Sequence, residues 1–297
     1  VSAASPAGPL ASIDIGTNSA LLLVAERRGG RLHPVIQRVA APRVGRNLSV
    51  TGRISDESFA ALLTALDGFL AEIAAAGARL AGAVATEAFR KASNGPELLD
   101  RVSALLGAPC RILTGEEEAR LGWLAVADRH PLPGLAVLDI GAGSTEINGG
   151  EGGVSLPIGA VSLPETCGPS PAALRARASE AFAGGLAGFR IPENLVAVGG
   201  TATALAMLFL GLRAFDAEAI EGLELERSDV AAMVERLSAM GAAERAALPG
   251  LDPGRAEIVV PGLCILEAFL DFAGRKAFRV SDRGIRYGVI LDSPRVR

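Results

Sequence analysis

Lysine is nearly absent from this chain of 297 residues: it occurs only at Lys91 and Lys276, and neither follows a glycine. Phosphate-binding loops that need a Gly-Lys pair are thereby excluded. The three cysteines, Cys110, Cys167 and Cys264, are isolated and odd in number, with no Cys-x-x-Cys pair, so neither a disulfide framework nor a structural zinc site is indicated. Six residues after them stand Glu116, Ala173 and Leu270, not the arginine that a cysteine-phosphatase loop requires. Histidine is limited to His33 and His130, each beside a proline and expected in a loop, too few for a phosphohistidine mechanism or a His-built metal site. With 29 basic and 33 acidic residues the formal charge is -4, so no global positive field draws the protein to nucleic acid or to anionic lipid. Long apolar runs are also scarce. The longest uncharged one, residues 194–212, approaches the ~20 residues that span a bilayer, but Gly199-Gly200 breaks it into a strand over 195–198 and a helix over 201–210. Residues 1–9 lack a basic region ahead of an apolar core and read as a loose leader, so a reducing cytoplasm is the expected location.

What remains is an ordinary globular composition, 49% hydrophobic and 21% charged, with a length that suggests two domains of roughly 150 residues. Two segments resemble each other: Ser12-Ile13-Asp14-Ile15-Gly16-Thr17-Asn18-Ser19 and Leu138-Asp139-Ile140-Gly141-Ala142-Gly143-Ser144-Thr145. In each, an apolar strand ends at glycines and hydroxyls before strand-like sequence resumes, the pattern of a hairpin. The repeat implies two similar α/β domains with their hairpin turns facing across a cleft. The Pro/Gly-rich stretch His130-Pro131-Leu132-Pro133-Gly134 is the best linker, which places the domains at 1–129 and 130–297. Periodicity predicts helices over 54–76, 97–106, 114–128, 171–187, 228–239 and 255–272, and strands near 81–85, 111–113, 135–140, 154–157, 195–198 and 277–280.

An aspartate that ends a strand before a glycine turn suits a divalent ion, with backbone amides close by for phosphate oxygens. Two such aspartates, Asp14 and Asp139, suggest Mg²⁺-phosphate chemistry. A haloacid-dehalogenase nucleophile pair would need an aspartate where Gly16 stands, and a dinucleotide fingerprint would need a glycine at Glu146. In the run Gly115-Glu116-Glu117-Glu118-Ala119-Arg120, Thr114 as N-cap puts Glu117 in a capping box. Glu118 is left over by that account, as a candidate base for water.

These residues, with Ala85-Thr86-Glu87-Ala88-Phe89-Arg90, Gly199-Gly200-Thr201-Ala202-Thr203 and Ser281-Asp282-Arg283-Gly284-Ile285-Arg286, occur in the order seen in the exopolyphosphatase and guanosine pentaphosphate phosphohydrolase (Ppx/GppA) family, which the chain resembles over residues 10–292. The resemblance implies the actin-like (ASKHA) fold of two ribonuclease-H-like domains, without the C-terminal helical domain of longer members. It also implies that Asp14 and Asp139 hold Mg²⁺ and that Glu118 is the general base. Gly16, Thr17, Asn18 and Ser19, with Gly141, Gly143, Ser144 and Thr145, would cradle phosphate, and Arg90 and Arg286 would neutralise it. The chain departs from the family pattern at Leu21, where a cation is usual, at Ala142 for glycine, at Glu87 for serine and at Tyr287 for glutamate. The expected activity is hydrolysis of the terminal phosphoanhydride of inorganic polyphosphate, with guanosine pentaphosphate as the alternative candidate substrate. Arg43, Arg46, Arg90 and Lys91 offer a local basic track for a polyanion. A catalytically impaired nucleotide-binding regulator and an ATP-dependent kinase are the alternatives, and a homodimer stays open.

Overall fold

The computed structural model describes residues 8–294, so the leader reading of residues 1–9 lies outside the described residues except for its last two. The chain forms two compact units, one running to Thr114 and resuming at Ile285, the other Gly115–Gly284. The first unit carries β1 (Leu10–Ile15), β2 (Ala20–Arg28), β3 (Arg31–Ala40), β4 (Arg79–Ala85) and β5 (Cys110–Ile112), in the order β3-β2-β1-β4-β5. The β1, β2 and β3 pairings are antiparallel, and β1, β4 and β5 are parallel.

Every residue of β1 is buried, because both faces of this central strand are covered. Ala11, Ile13 and Ile15 join a core with Phe59, Leu62, Leu66, Phe69 and Ile73 of the helix Asp56–Ala75. That helix is long and apolar enough to cross a membrane by length and composition, yet this apolar face lies in the unit's core. Its start is fixed by Ser55, whose side chain accepts from the Ser58 amide. The opposite face of β1 carries Ser12 and Asp14. There the helix Ile285–Asp292 packs, with Ser12 Oγ donating to the Arg286 carbonyl at 2.6 Å.

β3 corrects one expectation. His33-Pro34 lies in this strand, not in a loop. Proline is tolerated because β3 is the sheet edge, with a register shift opposite it between Val24 and Ala25.

The second unit contains β6 (Leu135–Ile140), β7 (Thr145–Asn148), β8 (Gly153–Leu156), β9 (Asn194–Val198), β10 (Glu224–Glu226) and β11 (Ala277–Val280), ordered β10-β11-β9-β6-β7-β8. Read from β8, the order β8-β7-β6-β9-β11 repeats the first unit's β3-β2-β1-β4-β5, with β10 added antiparallel to β11. The internal duplication therefore extends to strand order, and each unit has the ribonuclease-H-like layout of the actin-like fold. One face of the sheet, with Ala136, Leu138 and Ile140, packs with the helices Pro171–Gly185 and Val259–Ala273, where Phe182 meets Phe269 edge-on at 5.2 Å. The other, with Leu135 and Val137, packs with Val126 of the helix Gly115–Arg129.

The division at Thr114 and Gly115 differs from the expected boundary at residues 129 and 130. The Pro/Gly-rich stretch is a turn inside the second unit. Its His130 Nε2 meets Glu221 Oε1 at 2.5 Å, and just before it Asp128 pairs with Arg283 at 2.9 Å. Composition marked a turn there, and side-chain bonds decide that the helix before it belongs with the sheet after it.

Candidate active site

In the first unit, Asp14 is the penultimate residue of β1 and 7% exposed. Its charge, after burial, helps push the Cys110 thiol up to about 12. The turn beyond it closes with the Gly16 amide donating to the Ser19 carbonyl at 2.9 Å. A loop then clamps the turn: the Arg43 amide donates to the Asn18 carbonyl at 3.0 Å and the Gly45 amide to the Thr17 carbonyl at 2.8 Å. Gly45 must be glycine, since a Cβ there would stand 2.1 Å from Thr17 Cγ2. Arg43 holds its place with a left-handed φ of 54°. Antiparallel register sets Leu21 directly opposite Asp14, so the two side chains share a face of the sheet, and Leu21 is half-buried.

The second unit repeats this arrangement. Asp139 is the penultimate residue of β6, and the Gly141 amide donates to the Ser144 carbonyl at 2.9 Å. Residues 159–162 clamp this turn, with Ala160 donating to Gly141, Val161 to Ala142 and Ser162 Oγ to Gly143. Gly159 lets the clamp close on the turn, since a Cβ there would stand 2.4 Å from the Ala142 carbonyl oxygen.

Three carboxylates gather around the second turn. Glu118 is 4% exposed, whereas Glu116 is exposed and Glu117 half-buried, so the helix Gly115–Arg129 turns inward the acid singled out from the sequence. Glu146 lies opposite Asp139 in the β6–β7 register and is 4% exposed. Burial, then the charges of Glu118 and Asp139, hold the Glu146 carboxyl well above its ordinary range, although Ser155 Oγ donates to it at 2.6 Å. Burial likewise raises Asp139 to about 6, opposed by the attraction of Arg255.

Two successive glycines make room for this pair of charges. At Gly199, with φ 81°, a Cβ would stand 2.3 Å from Asp139 Oδ1. At Gly200 it would stand 1.7 Å from Arg255 Nη1.

The structure thus brings Asp139, Gly141, Gly143, Ser144 and Glu118 together in the second unit, and Asp14 with Gly16, Thr17, Asn18 and Ser19 in the first. Thr145 is 1% exposed and spends its hydroxyl on the Ile158 carbonyl at 2.6 Å. Arg90, after β4, is exposed and donates to the Leu113 carbonyl. Arg286 is 7% exposed, bonded to Gln37 Oε1, with its guanidinium 5.6 Å from the buried Tyr287 ring.

Sequence reasoning missed Glu146 and Arg255 as site residues. The first was legible, since a hairpin pairs it with Asp139. Nothing local in the sequence marks the second, which lies far along the chain from Gly200.

Among the described residues no three His, Cys, Asp or Glu side chains converge into a ready-made metal cage. Mg²⁺ keeps water and substrate phosphate as most of its ligands and takes one or two carboxylates from protein. The mutual repulsion at Glu146, Glu118 and Asp139 is the electrostatic setting that such a cation relieves.

Buried acids stand beside a hairpin turn whose carbonyls are clamped, on a duplicated actin-like fold, an arrangement suited to phosphate chemistry. The chain matches the model of the Ppx/GppA phosphatase family over residues 23–295 and belongs to that family of hydrolases. It is 31% identical to exopolyphosphatase 2 of Mycobacterium tuberculosis over 95% of this chain and 97% of that protein. It is 29% identical to exopolyphosphatase 1 of Mycobacterium bovis, with coverage of 95% and 87%. The crystal structure of the Aquifex aeolicus Ppx/GppA family member superposes with a TM-score of 0.79 at 30% identity, covering 96% of each chain.

Proposed function

We propose that this protein releases terminal phosphate from inorganic polyphosphate with Mg²⁺, in the cytoplasm. The observation that carries the reading is the pair of buried carboxylates Glu118 and Glu146, with the half-buried Asp139 charge coupled to Glu146 at the Gly141–Ser144 turn. Three carboxylates kept this close are costly unless a cation or a proton transfer uses them.

Within each unit the aspartate next to the turn, Asp14 in the first and Asp139 in the second, is a carboxylate that would hold Mg²⁺, whose contribution when bound is to offset charge on the phosphoryl oxygens. Glu118 accepts the proton of the attacking water and orients it for in-line displacement. Glu146, held by Ser155 and Ser144, is pushed by burial and by the Glu118 and Asp139 charges toward its protonated form, which limits the repulsion beside Glu118. In each turn the glycine amide, Gly16 or Gly141, is spent on closing it, so the amides that follow are the ones that would receive phosphate oxygens.

Phosphate release measured with polyphosphate, guanosine pentaphosphate and ATP in the presence of Mg²⁺ tests this reading. Polyphosphate is expected to be the best substrate. Faster release from guanosine pentaphosphate would move the assignment to the nucleotide, and none from any of the three would favour a binding regulator on the same fold.

A further inference from the structure

Two close approaches join β8 to the helix that carries Glu118. A Cβ at Gly115, the first residue of that helix, would stand 2.2 Å from Ser155 Cβ, and one at Gly153 would stand 2.5 Å from Ala119 Cβ. Gly115 and Ala119 are four apart on one face of the helix, and Gly153 and Ser155 are two apart on one face of the strand, so the four residues form a single seam. Backbones come this near where glycine removes the side chain from one partner. Glu118 is therefore carried on a helix whose distance from the sheet is fixed at its first turn.

Ser155, half-buried, does more in this seam than pack. It stands directly opposite Glu146, which stands directly opposite Asp139, so the three side chains lie in one row across β8, β7 and β6 on the same face. Its Oγ donates to Glu146 Oε1 at 2.6 Å. Glu146 also takes a hydrogen bond from the side chain of Ser144, whose carbonyl closes the phosphate turn. A carboxyl that is 4% exposed is thus held from two sides, by the helix seam and by the turn.

Packing against Gly115 asks only for a Cβ at position 155, which alanine would supply. The hydroxyl is left with one task, the orientation of Glu146. A glutamate that loses one of its two holding bonds can change rotamer, and misplacing a group near the reacting atoms by about 1 Å can cost about 100-fold in rate. Resting on the hydrolase reading above, we propose that Ser155 is a positioning residue for the reaction, tying Glu146 and the Ser144 end of the turn to the seam at the start of the Glu118 helix. It acts through Glu146 and touches neither substrate nor the reacting atoms.

Ser155→Ala keeps the Cβ in the seam and removes only the hydroxyl. Hydrogen exchange is expected to show the amides of residues 142–144 exchanging about tenfold faster, with those of the helix Gly115–Arg129 unchanged. In steady-state phosphate release from polyphosphate the same variant is expected to lower kcat by about 10- to 100-fold while KM stays within about twofold of the parent's. Glu146→Ala removes the group through which Ser155 acts, so in that background Ser155→Ala should change neither readout.

Unchanged exchange in the turn overturns the proposal, as does an unchanged kcat. So does the same loss with and without Glu146, because the hydroxyl would then act by another route. A raised KM at full kcat overturns it as well, by making Ser155 a contact for substrate. If Ser155→Ala does not fold, Ser155→Gly combined with Gly115→Ala returns the missing Cβ to the seam from the other side and is expected to show the same kinetic loss. Recovery of the parent's kcat in that pair would mean that packing alone matters, and overturns the proposal. A parent that releases no phosphate from polyphosphate sinks the functional reading instead, and the exchange measurement, which needs no substrate, still decides on Ser155.

Discussion

Asp139 bears the conflict between folding and function most directly. Its carboxyl titrates at about 6 in the fold against an ordinary 3.8, chiefly through burial. Between those values the folded chain keeps a proton that the unfolded chain has lost, so stability falls as pH rises through that window, by up to about 3 kcal/mol. Asp139→Asn should therefore abolish turnover while raising the melting temperature at pH 7 and flattening its decline between pH 4 and 6. Part of the gain is offset because Arg255 loses the charge it attracts. A melting curve that keeps the parent's pH dependence would show that Asp139 is solvated and not strained. Glu118 makes a complementary case. Glu118→Gln preserves shape but cannot take a proton, so turnover should drop by roughly 10²- to 10⁴-fold with substrate affinity retained. Glu117→Gln, at a half-buried position one residue earlier, should act on stability alone, and steady-state kinetics beside calorimetry on the pair separates the two roles.

Among the elements, the turn from β9 into the helix Gly199–Leu210 is built around charges, not around its own backbone. Gly199→Ala is expected to lower stability by about 1 kcal/mol through its left-handed φ, and to displace Asp139 as well. Gly200→Ala meets only the far end of a flexible arginine, so its melting temperature should stay near the parent's while kcat/KM falls about tenfold as Arg255 is moved from Asp139. Equal losses of stability in both would mean that backbone geometry alone governs this turn. Leu21 is placed by its element too. Since it faces the same side of the sheet as Asp14 and is half-buried, Leu21→Arg should fold normally and improve kcat/KM on polyphosphate, as read by kinetics and a thermal melt. The elements were largely legible in the sequence wherever period and punctuation agreed, as at Asp56–Ala75 and in the two hairpins after Asp14 and Asp139. They were not legible where punctuation misled. Pro34 disguised β3, whose edge position only the finished sheet defines. Of the candidate site, the repeated motif located both aspartates at strand ends before a turn, and the capping argument left over Glu118, the acid of that helix start which the fold buries. Arg255 depends on a contact between distant segments that no local pattern encodes.

At the scale of the whole molecule, the chain order does not follow the units. It leaves the first unit at Thr114, builds all of the second, and returns at Ile285 to finish the first. The returning helix Ile285–Asp292 is not an appendage. Ile285, Tyr287, Val289 and Ile290 are all at most 7% exposed, and Gly82 has no Cβ because one would lie 2.8 Å from Val289 Cγ1. Burying side chains of this size contributes about 1.5–3 kcal/mol each, a total comparable with the stability of an entire small domain. The same helix backs the face of β1 that bears Asp14, through the bond from Ser12 to the Arg286 carbonyl. Ending the chain after Gly284 should therefore unfold the first unit selectively. Hydrogen exchange should show the amides of β1, β2 and β4 losing protection, while those of β6 and β9, whose neighbours all come from residues 115–284, retain theirs. Activity should vanish with the strand that bears Asp14 even though Glu118, Asp139 and Glu146 stay in place. Protection lost evenly across both sheets would mean that the two units fold as one cooperative body, and protection kept in both would mean that the last helix only covers a strand that is stable without it.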